Sequence, residues 1–374
     1  MTAPTNIFIE AHMFDHGFEG SGSFIAGLYR ALLAAHPDRY ALVVGGLHPE
    51  RALAALGNPE QARAAPYRTD NRIARLAVDI PRIMREERID FAHFQYFTPI
   101  VKQCAWIVTI HDVLFNDFPE FFPKNYRRMR NILFPLSARR ADILTTVSRY
   151  SRDRIAHWYG IDPSRIAITP NGVEPADTAA GQAVAAGRPD GRYLICVSRF
   201  EPRKNQAAVL EAFVAQQLWE RGISLVFVGA RTLQSPAFDA AWAQAPEAAR
   251  AAVRFLSGLS SQDLAALIAG AEVAVYPSLA EGFGLPPLEA IAQGVPCACA
   301  KVTAMADFDF LEPFFFDPAQ PDALGQVIAR MLDAPQQARA QAAAARTRML
   351  EEYAWARAAE TLHRKIDAHL RSRR

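Results

Sequence analysis

The feature that most constrains this chain is an alternation, met twice, of short apolar runs with longer segments of helical period. Short apolar runs bounded by turn signals read as buried strands. Helices between them imply parallel sheets covered on both faces. In the first half the runs are Ile7–Ile9, Tyr40–Val44, Phe91–Phe94, Trp106–Ile110, Ile143–Val147 and Ile166–Thr169. Phe24–Ala35, Ile73–Arg85, Asn125–Arg139 and Ser148–Tyr159 read as the helices between them, with an irregular loop around Pro119 and Pro123. Glu174–Arg192 is rich in Ala, Gly, Pro and Asp and nearly free of large apolar side chains, the composition of a linker.

The alternation then restarts. Tyr193–Val197, Leu225–Val228, Val253–Leu256, Val273–Tyr276 and Pro296–Ala300 read as strands, with helices near Asn205–Trp219, Ala237–Ala252, Ser260–Ala269 and Pro286–Gly294. From Gln336 onward the chain is helix-like, with a break near Tyr353–Ala354. The expectation is an α/β protein of two Rossmann-like, doubly wound domains over residues 1–174 and 192–350, joined by a linker at 175–191. Residues 351–374 are expected to form a helix packing back toward the first domain.

Composition supports two packed cores: 51% of the 374 residues are hydrophobic and 21% charged, which argues against global disorder. A formal net charge of +2 argues against a dedicated nucleic-acid binder. The four cysteines, Cys104, Cys196, Cys297 and Cys299, lie in or beside apolar runs without metal-binding spacing, so they read as buried thiols of a reducing compartment. No stretch reads as a signal peptide or as an apolar run long enough to span a bilayer, which makes cytoplasmic location the expectation.

Two motifs carry chemistry. Glu281-Gly-Phe-Gly-Leu-Pro-Pro-Leu-Glu289 follows the strand Val273–Tyr276. Pro286 or Pro287 can open a helix, which leaves Glu281 in the preceding loop and Glu289 in the first turns. Gly282 and Gly284 allow close backbone approach to a ligand, and free amides at the helix start suit an anionic or hydroxyl-rich group. A carboxylate there can accept hydrogen bonds from vicinal hydroxyls. The bland alternative is a Gly-Pro loop with a helix-start acid favoured by the dipole. The second motif, Ser198-Arg199-Phe-Glu-Pro-Arg203-Lys204-Asn205, places three cations at a strand-to-helix turn, as a pyrophosphate site requires. Cations disfavour a helix start, so an anion is wanted beside them; a solvated basic loop is the alternative.

Together these motifs resemble the retaining glycosyltransferases of family four, which have the GT-B fold: two Rossmann-like domains facing a deep cleft. The resemblance runs over most of the chain. Gly20-Ser-Gly22 matches a glycine-rich loop, Thr109-Ile-His111-Asp112 a histidine after a central strand, and Thr146-Val-Ser148, Pro170-Asn171-Gly172-Val173 and Ser257-Gly258 three further blocks. It is nearest to bacterial mannosyl- or hexosyltransferases of surface-polysaccharide assembly.

The resemblance implies that Arg199 and Lys204 hold the donor diphosphate and Glu289 the ribose. Glu281 would hold the transferred sugar, and backbone at Ser257–Gly258 the base. Gly282, Phe283 and Gly284 would complete the donor site. His111 would lie against the donor sugar and leaving phosphate, and Gly20–Gly22 would approach the phosphates. The implied catalytic residues are His111 and Glu281. The implied mechanism is front-face attack assisted by the leaving phosphate, without a metal or other cofactor.

The sequence departs from the family at Lys301-Val-Thr-Ala-Met-Ala-Asp307, where a glycine-rich segment ending in Glu is usual. Asp307-Phe-Asp309 is formally a metal-binding triplet of another glycosyltransferase fold, but cationic diphosphate ligands make a metal unnecessary. Gly20-x-Gly22 lacks the third glycine of a dinucleotide fingerprint, and no P-loop is present. Arg127, Arg128, Arg130, Arg139 and Arg140 read as a solvated surface or as a contact with anionic lipid or a pyrophosphate-linked acceptor. The expected partners are a nucleotide-sugar donor and a glycan or lipid-linked saccharide acceptor. Peripheral contact with the inner face of the cytoplasmic membrane goes with the second. A nucleotide-sugar epimerase and a non-catalytic sugar-nucleotide-binding partner protein are the competing classes.

Overall fold

The computed structural model describes residues 3–15, 20–174, 188–231, 233–320 and 322–373. Most of the expected linker at 175–191 therefore lies outside the described residues. The chain divides into two compact units: Met1–Gly172 with Tyr353–Arg374, and Val173–Glu352.

The strands of unit 1 are β1 (Thr5–Glu10), β2 (Tyr40–Gly46), β3 (Ala62–Pro66), β4 (Phe91–Gln95), β5 (Ala105–Thr109), β6 (Ile143–Thr146) and β7 (Ile166–Ile168). They form one sheet in the order β3-β2-β1-β4-β5-β6-β7, with parallel pairings such as Ile7 with Phe91 and Phe91 with Ala105. Its helices are α1 (Gly20–Ala35), α2 (Pro49–Ala55), α3 (Arg72–Ala74), α4 (Ile80–Glu86), α5 (Leu114–Asp117), α6 (Lys124–Arg140) and α7 (Arg149–Tyr159). Every residue of β4, β5 and β6 is buried, as expected where helices cover both faces of a parallel sheet.

Unit 2 contains β8 (Arg192–Val197), α8 (Gln206–Ala215), β9 (Ile223–Val228), α9 (Pro236–Gln244), α10 (Glu247–Ala251), β10 (Val253–Leu256) and α11 (Ser261–Ala269). It continues with β11 (Val273–Tyr276), α12 (Leu285–Ala292), β12 (Cys297–Ala300), β13 (Phe315–Phe316), α13 (Ala323–Asp333) and α14 (Pro335–Glu352). The sheet order is β10-β9-β8-β11-β12-β13, again parallel. In both sheets the order reverses beside the first strand, between β1 and β4 and between β8 and β11. Such switch points open a crevice at the carboxyl ends of the strands.

The last helix, α15 (Trp355–Ser372), belongs to unit 1 and packs on α1. Tyr40 Oη lies 2.6 Å from His363 Nδ1, and Arg39 pairs with Asp367 at 2.8 Å. Trp355 fills space that only glycine leaves: a Cβ on Gly27 or on Gly172 would collide with its indole. The Pro170-Asn-Gly-Val block thus has a packing task.

Three departures from the sequence pattern have local causes. β3, Ala62-Arg-Ala-Ala-Pro66, shows no apolar alternation because it is a half-exposed edge strand. The helix expected over 73–85 carries a π-helical stretch, Arg75–Asp79, just ahead of Pro81, whose missing N–H interrupts the ladder. The helix expected over 237–252 is split at Ala245, which is extended (ψ 138°) because Pro246 follows it.

Candidate functional site

The two chemical motifs of unit 2 leave adjacent strands at its switch point. After β8 the chain passes Ser198 and Arg199 and makes a tight turn at Pro202–Lys204. It enters α8 through Asn205, held left-handed at φ 53°. After β11 it runs through Glu281 into α12, whose cap is Gly284 at φ 101°; a side chain there would be strained and would press on Met305.

The anion that the cation-rich turn calls for is supplied by the protein. Glu281 Oε1 lies 2.5 Å from Lys204 Nζ, and Oε2 lies 3.2 Å from Arg203 Nη1. Oε1 also accepts from Tyr276 Oη (2.8 Å) and Ser278 Oγ (2.5 Å). Burial alone would raise the Glu281 pKa, but Lys204 and Arg203 outweigh it and hold the carboxyl down at about 2. The backbone is fixed as well, since Glu281 N–H donates to Thr303 Oγ1 at 3.0 Å. Of the three cations, Arg199 is left exposed, 3.4 Å from Glu201.

Glu289 contrasts with Glu281. Its half-buried side chain lies on α12, and among the described residues no group hydrogen-bonds to its carboxylate. Burial pushes its pKa up. An acid carrying that cost without a partner is suited to a ligand's hydroxyls. Phe283 turns its ring into the core against Phe308, so only its backbone, with that of Gly282, can serve a ligand. Ser257 and Gly258 (φ 69°) follow β10 and are exposed. Asp309 of the Asp-x-Asp triplet pairs with Arg348 at 2.8 Å.

In unit 1, β5 ends just before His111, whose Nε2 lies 2.6 Å from Gln95 Oε1 at the end of β4. Phe24 meets the imidazole edge-on at 5.0 Å. Burial lowers the His111 pKa to about 4, so the ring is neutral at pH 7. Gly20–Gly22 is not the loop expected from the sequence: α1 begins at Gly20, and neither glycine has a positive φ. Ser148 of the Thr146-Val-Ser148 block caps α7, accepting from Ser151 N at 3.0 Å. The arginines of α6 are less free than a solvated row. Arg130 stacks on Tyr126 at 3.3 Å, Arg139 donates to Tyr159 O and Arg140 to Ile100 O.

Sequence reasoning missed three groups. Gln95 had no motif. Tyr276 read only as a strand residue. Arg231, beyond β9, lies over the rings of Phe200, Phe238 and Phe255 at 5.2–5.5 Å. A lone arginine after a strand gives no signal by itself.

Comparison with known proteins places this geometry. Residues 18–177 match the model of "Glycosyltransferase Family 4", and residues 182–348 that of "Glycosyl transferases group 1". The chain is 34% identical over 221 residues to the MMP alpha-(1->4)-mannosyltransferase of Mycolicibacterium hassiacum, covering 58% of this chain and 52% of that protein. It is 29% identical over 235 residues to O-antigen chain mannosyltransferase B of Escherichia coli, covering 60% and 61%. The chain thus spans about half to three fifths of these curated relatives. The fold is shared with Anabaena HepE, crystallised with UDP and glucose (TM-score 0.70, 16% identity, 98% of this chain and 100% of that one). It is shared too with WaaG, a glycosyltransferase of lipopolysaccharide biosynthesis (TM-score 0.66, 17% identity, 94% and 98%). The two family models between them span most of the chain, and the solved structures share its two parallel, doubly wound units: the chain is a member of the family-four, group 1 glycosyltransferases and has their GT-B fold.

Proposed function

We propose that this protein transfers a hexose, with retention of configuration, from a nucleotide-sugar donor to a glycan or lipid-linked acceptor in surface-polysaccharide assembly. Mannose from GDP-mannose is the leading donor, supported by the relatives named as mannosyltransferases. The observation that carries the reading is the meeting of Lys204, Arg203 and Glu281 at the β8–β11 switch point, with Arg199 exposed and Glu289 unbonded nearby in sequence.

In this reading Arg199 and Lys204 hold the diphosphate and Glu289 the ribose hydroxyls. Backbone at Ser257–Gly258 takes the base, and Gly282–Gly284 line the sugar. Three donors crowd Glu281 Oε1, so Oε2, with one, is the oxygen open to a sugar hydroxyl. Within unit 1, His111 lies beside the first turn of α1 at Gly20–Gly22 and offers a ring nitrogen to a sugar hydroxyl. Fixed cations balance the leaving diphosphate, so transfer needs no metal and EDTA should leave it intact.

Calorimetry with GDP and GDP-mannose tests the donor site. Arg199→Ala or Lys204→Ala should weaken GDP by on the order of 1.5–3 kcal/mol, the scale of charged hydrogen bonds. Glu289→Ala should weaken GDP itself, whereas Glu281→Ala should lose the added affinity of GDP-mannose over GDP. Wild-type affinity in both cation variants would end the assignment.

A peripheral membrane contact is favoured by one surface of unit 1. The outward ridge of α6 carries Ile132 (63% exposed) and Leu136 (51%) between Lys124, Arg128 and Arg139. Ile100 (83%) and Val101 sit in the turn tied to that helix by Arg140. Described helices include none long and apolar enough to cross a membrane. Apolar side chains framed by cations suit an anionic bilayer, each cation adding about 1 kcal/mol at low salt. Co-sedimentation with anionic vesicles should fall with salt and fall further in Ile132→Ser/Leu136→Ser; equal sedimentation of variant and wild type would remove this contact.

A further inference from the structure

Gln95 ends β4 buried, and its two amide atoms have different neighbours. Nε2 faces Ser21 O in the first turn of α1 at 3.4 Å and Met13 Sδ at 3.8 Å; Oε1 faces His111 Nε2 at 2.6 Å. A backbone carbonyl can only accept, so the amide nitrogen must point at Ser21 and the oxygen at His111. An amide oxygen can only accept as well, so His111 Nε2 carries the hydrogen. A neutral imidazole has one N–H, which leaves Nδ1 bare. Among the described residues no group hydrogen-bonds to that nitrogen.

The surroundings keep the ring neutral. Phe24 of α1 and Tyr96 pack against it, at 5.0 and 5.4 Å between ring centres. Of its titratable neighbours, which include Tyr96 and Asp112, His93 is itself held neutral, its pKa pushed down to about 3 first by burial and then by His111. Tyr96, next to Gln95, is left-handed at φ 66°, a conformation aromatic side chains seldom adopt, so packing of its ring against Phe134 and His111 must hold this turn.

We propose that Gln95 is a positioning residue that fixes His111 with hydrogen on Nε2, so that the open Nδ1 accepts a hydrogen bond from a ligand hydroxyl and cannot donate one to a phosphate. The inference deepens the glycosyl-transfer reading and rests on it for the identity of the hydroxyl. It separates two roles that the family resemblance left together at His111: acceptance from a sugar hydroxyl is kept, and donation to a phosphate is excluded. It also ties the histidine to the first turn of α1, through the Ser21 carbonyl.

The test is nitrogen-15 NMR of histidine-labelled full-length protein at pH 7, with His111→Asn supplying the assignment. The expected wild-type spectrum shows protonated Nε2, unprotonated Nδ1 and a slowly exchanging Nε2 hydrogen. In Gln95→Leu the slow hydrogen should be lost and the two tautomers should average. In Gln95→Glu, which keeps the acceptor and the shape, the hydrogen should persist and the His111 titration midpoint should rise. The affinity advantage of GDP-mannose over GDP should fall about threefold to tenfold in Gln95→Leu, the scale of one neutral hydrogen bond. Hydrogen on Nδ1 in the wild type, or a slow Nε2 hydrogen undisturbed in Gln95→Leu, would overturn the proposal. Absence of GDP binding by wild type would instead strike the donor reading and leave the tautomer result standing.

Discussion

Lys204 and Glu281 stand 77 residues apart in sequence and 2.5 Å apart in space, each almost out of water. Breaking a buried pair from one side leaves a charge uncompensated, which typically costs about 3–5 kcal/mol. Glu281→Ala strands Lys204 and takes one of two carboxylates from Arg203, which keeps Glu201 at 3.1 Å, and should lower the stability of unit 2 by that order. Lys204→Met should cost less, because Arg203 remains with Glu281. Urea denaturation of both variants checks the ordering, and equal losses would contradict it. The carboxyl's pKa of about 2 lies below its ordinary 4.5, so its stabilising effect is complete above about pH 4.5 and fades as pH falls toward 2.

Glu289 should behave in the opposite sense. Its folded-state pKa is raised by burial, so the folded protein binds the proton more readily than the unfolded chain. Stability then decreases as pH rises through the carboxylate range, and the ionised form weighs against folding at pH 7. Glu289→Gln should raise the melting temperature of the ligand-free protein at pH 7 while weakening GDP. A lower melting temperature with unchanged GDP affinity would refute both halves.

Neither relationship could be read from the sequence. Gly284, Pro286 and Glu289 were legible because helix starts follow local rules of φ, missing N–H and dipole. The cations at Arg203 and Lys204 were legible as needing an anion, but which anion depends on β8 and β11 lying side by side, a pairing no local pattern encodes. The same holds for β3, whose strand character comes from its neighbour β2 and not from its own side chains. Gly20–Gly22 misled for the converse reason: glycine permits a loop, yet the α1 face from Phe24 onward gains by burial when the helix begins earlier.

Two histidines of unit 1 predict acid sensitivity. His93 and His111 have pKa values of about 3 and about 4 against an ordinary 6.5, with burial the leading cause in both. The folded state binds fewer protons than the unfolded, so this stabilisation is complete above about pH 6.5. It is lost as pH falls toward 4 and below. Denaturation at pH 7 and pH 5 should show a loss already at pH 5, where Glu281 has not begun to contribute. Replacement of His93 by Gln should flatten that dependence. Stability equal at the two pH values would count against neutral burial of the pair.

The seat of Trp355 predicts non-additivity. Gly27→Ala drives a methyl into the indole and should cost on the order of 1–3 kcal/mol, the range for overpacking. Trp355→Ala removes the obstacle at the expense of a cavity. The double variant should be more stable than the sum of the two losses implies, by a coupling of about 0.5–3 kcal/mol. Strict additivity would show that the glycine is not there to admit the tryptophan.

That seat also bears on the order in which the two units can fold during synthesis. Amino-terminal domains ordinarily fold first as they emerge. Here the groove between Gly27 and Gly172, and the partners Arg39 and Tyr40, wait for α15, which is translated only after the whole of Val173–Glu352. Unit 2 has all its chain in hand earlier. Of these two units, the one whose chain is started first is therefore the second to close. Until it does, the apolar flank of α1 is exposed to chaperones, to proteases and to other nascent chains.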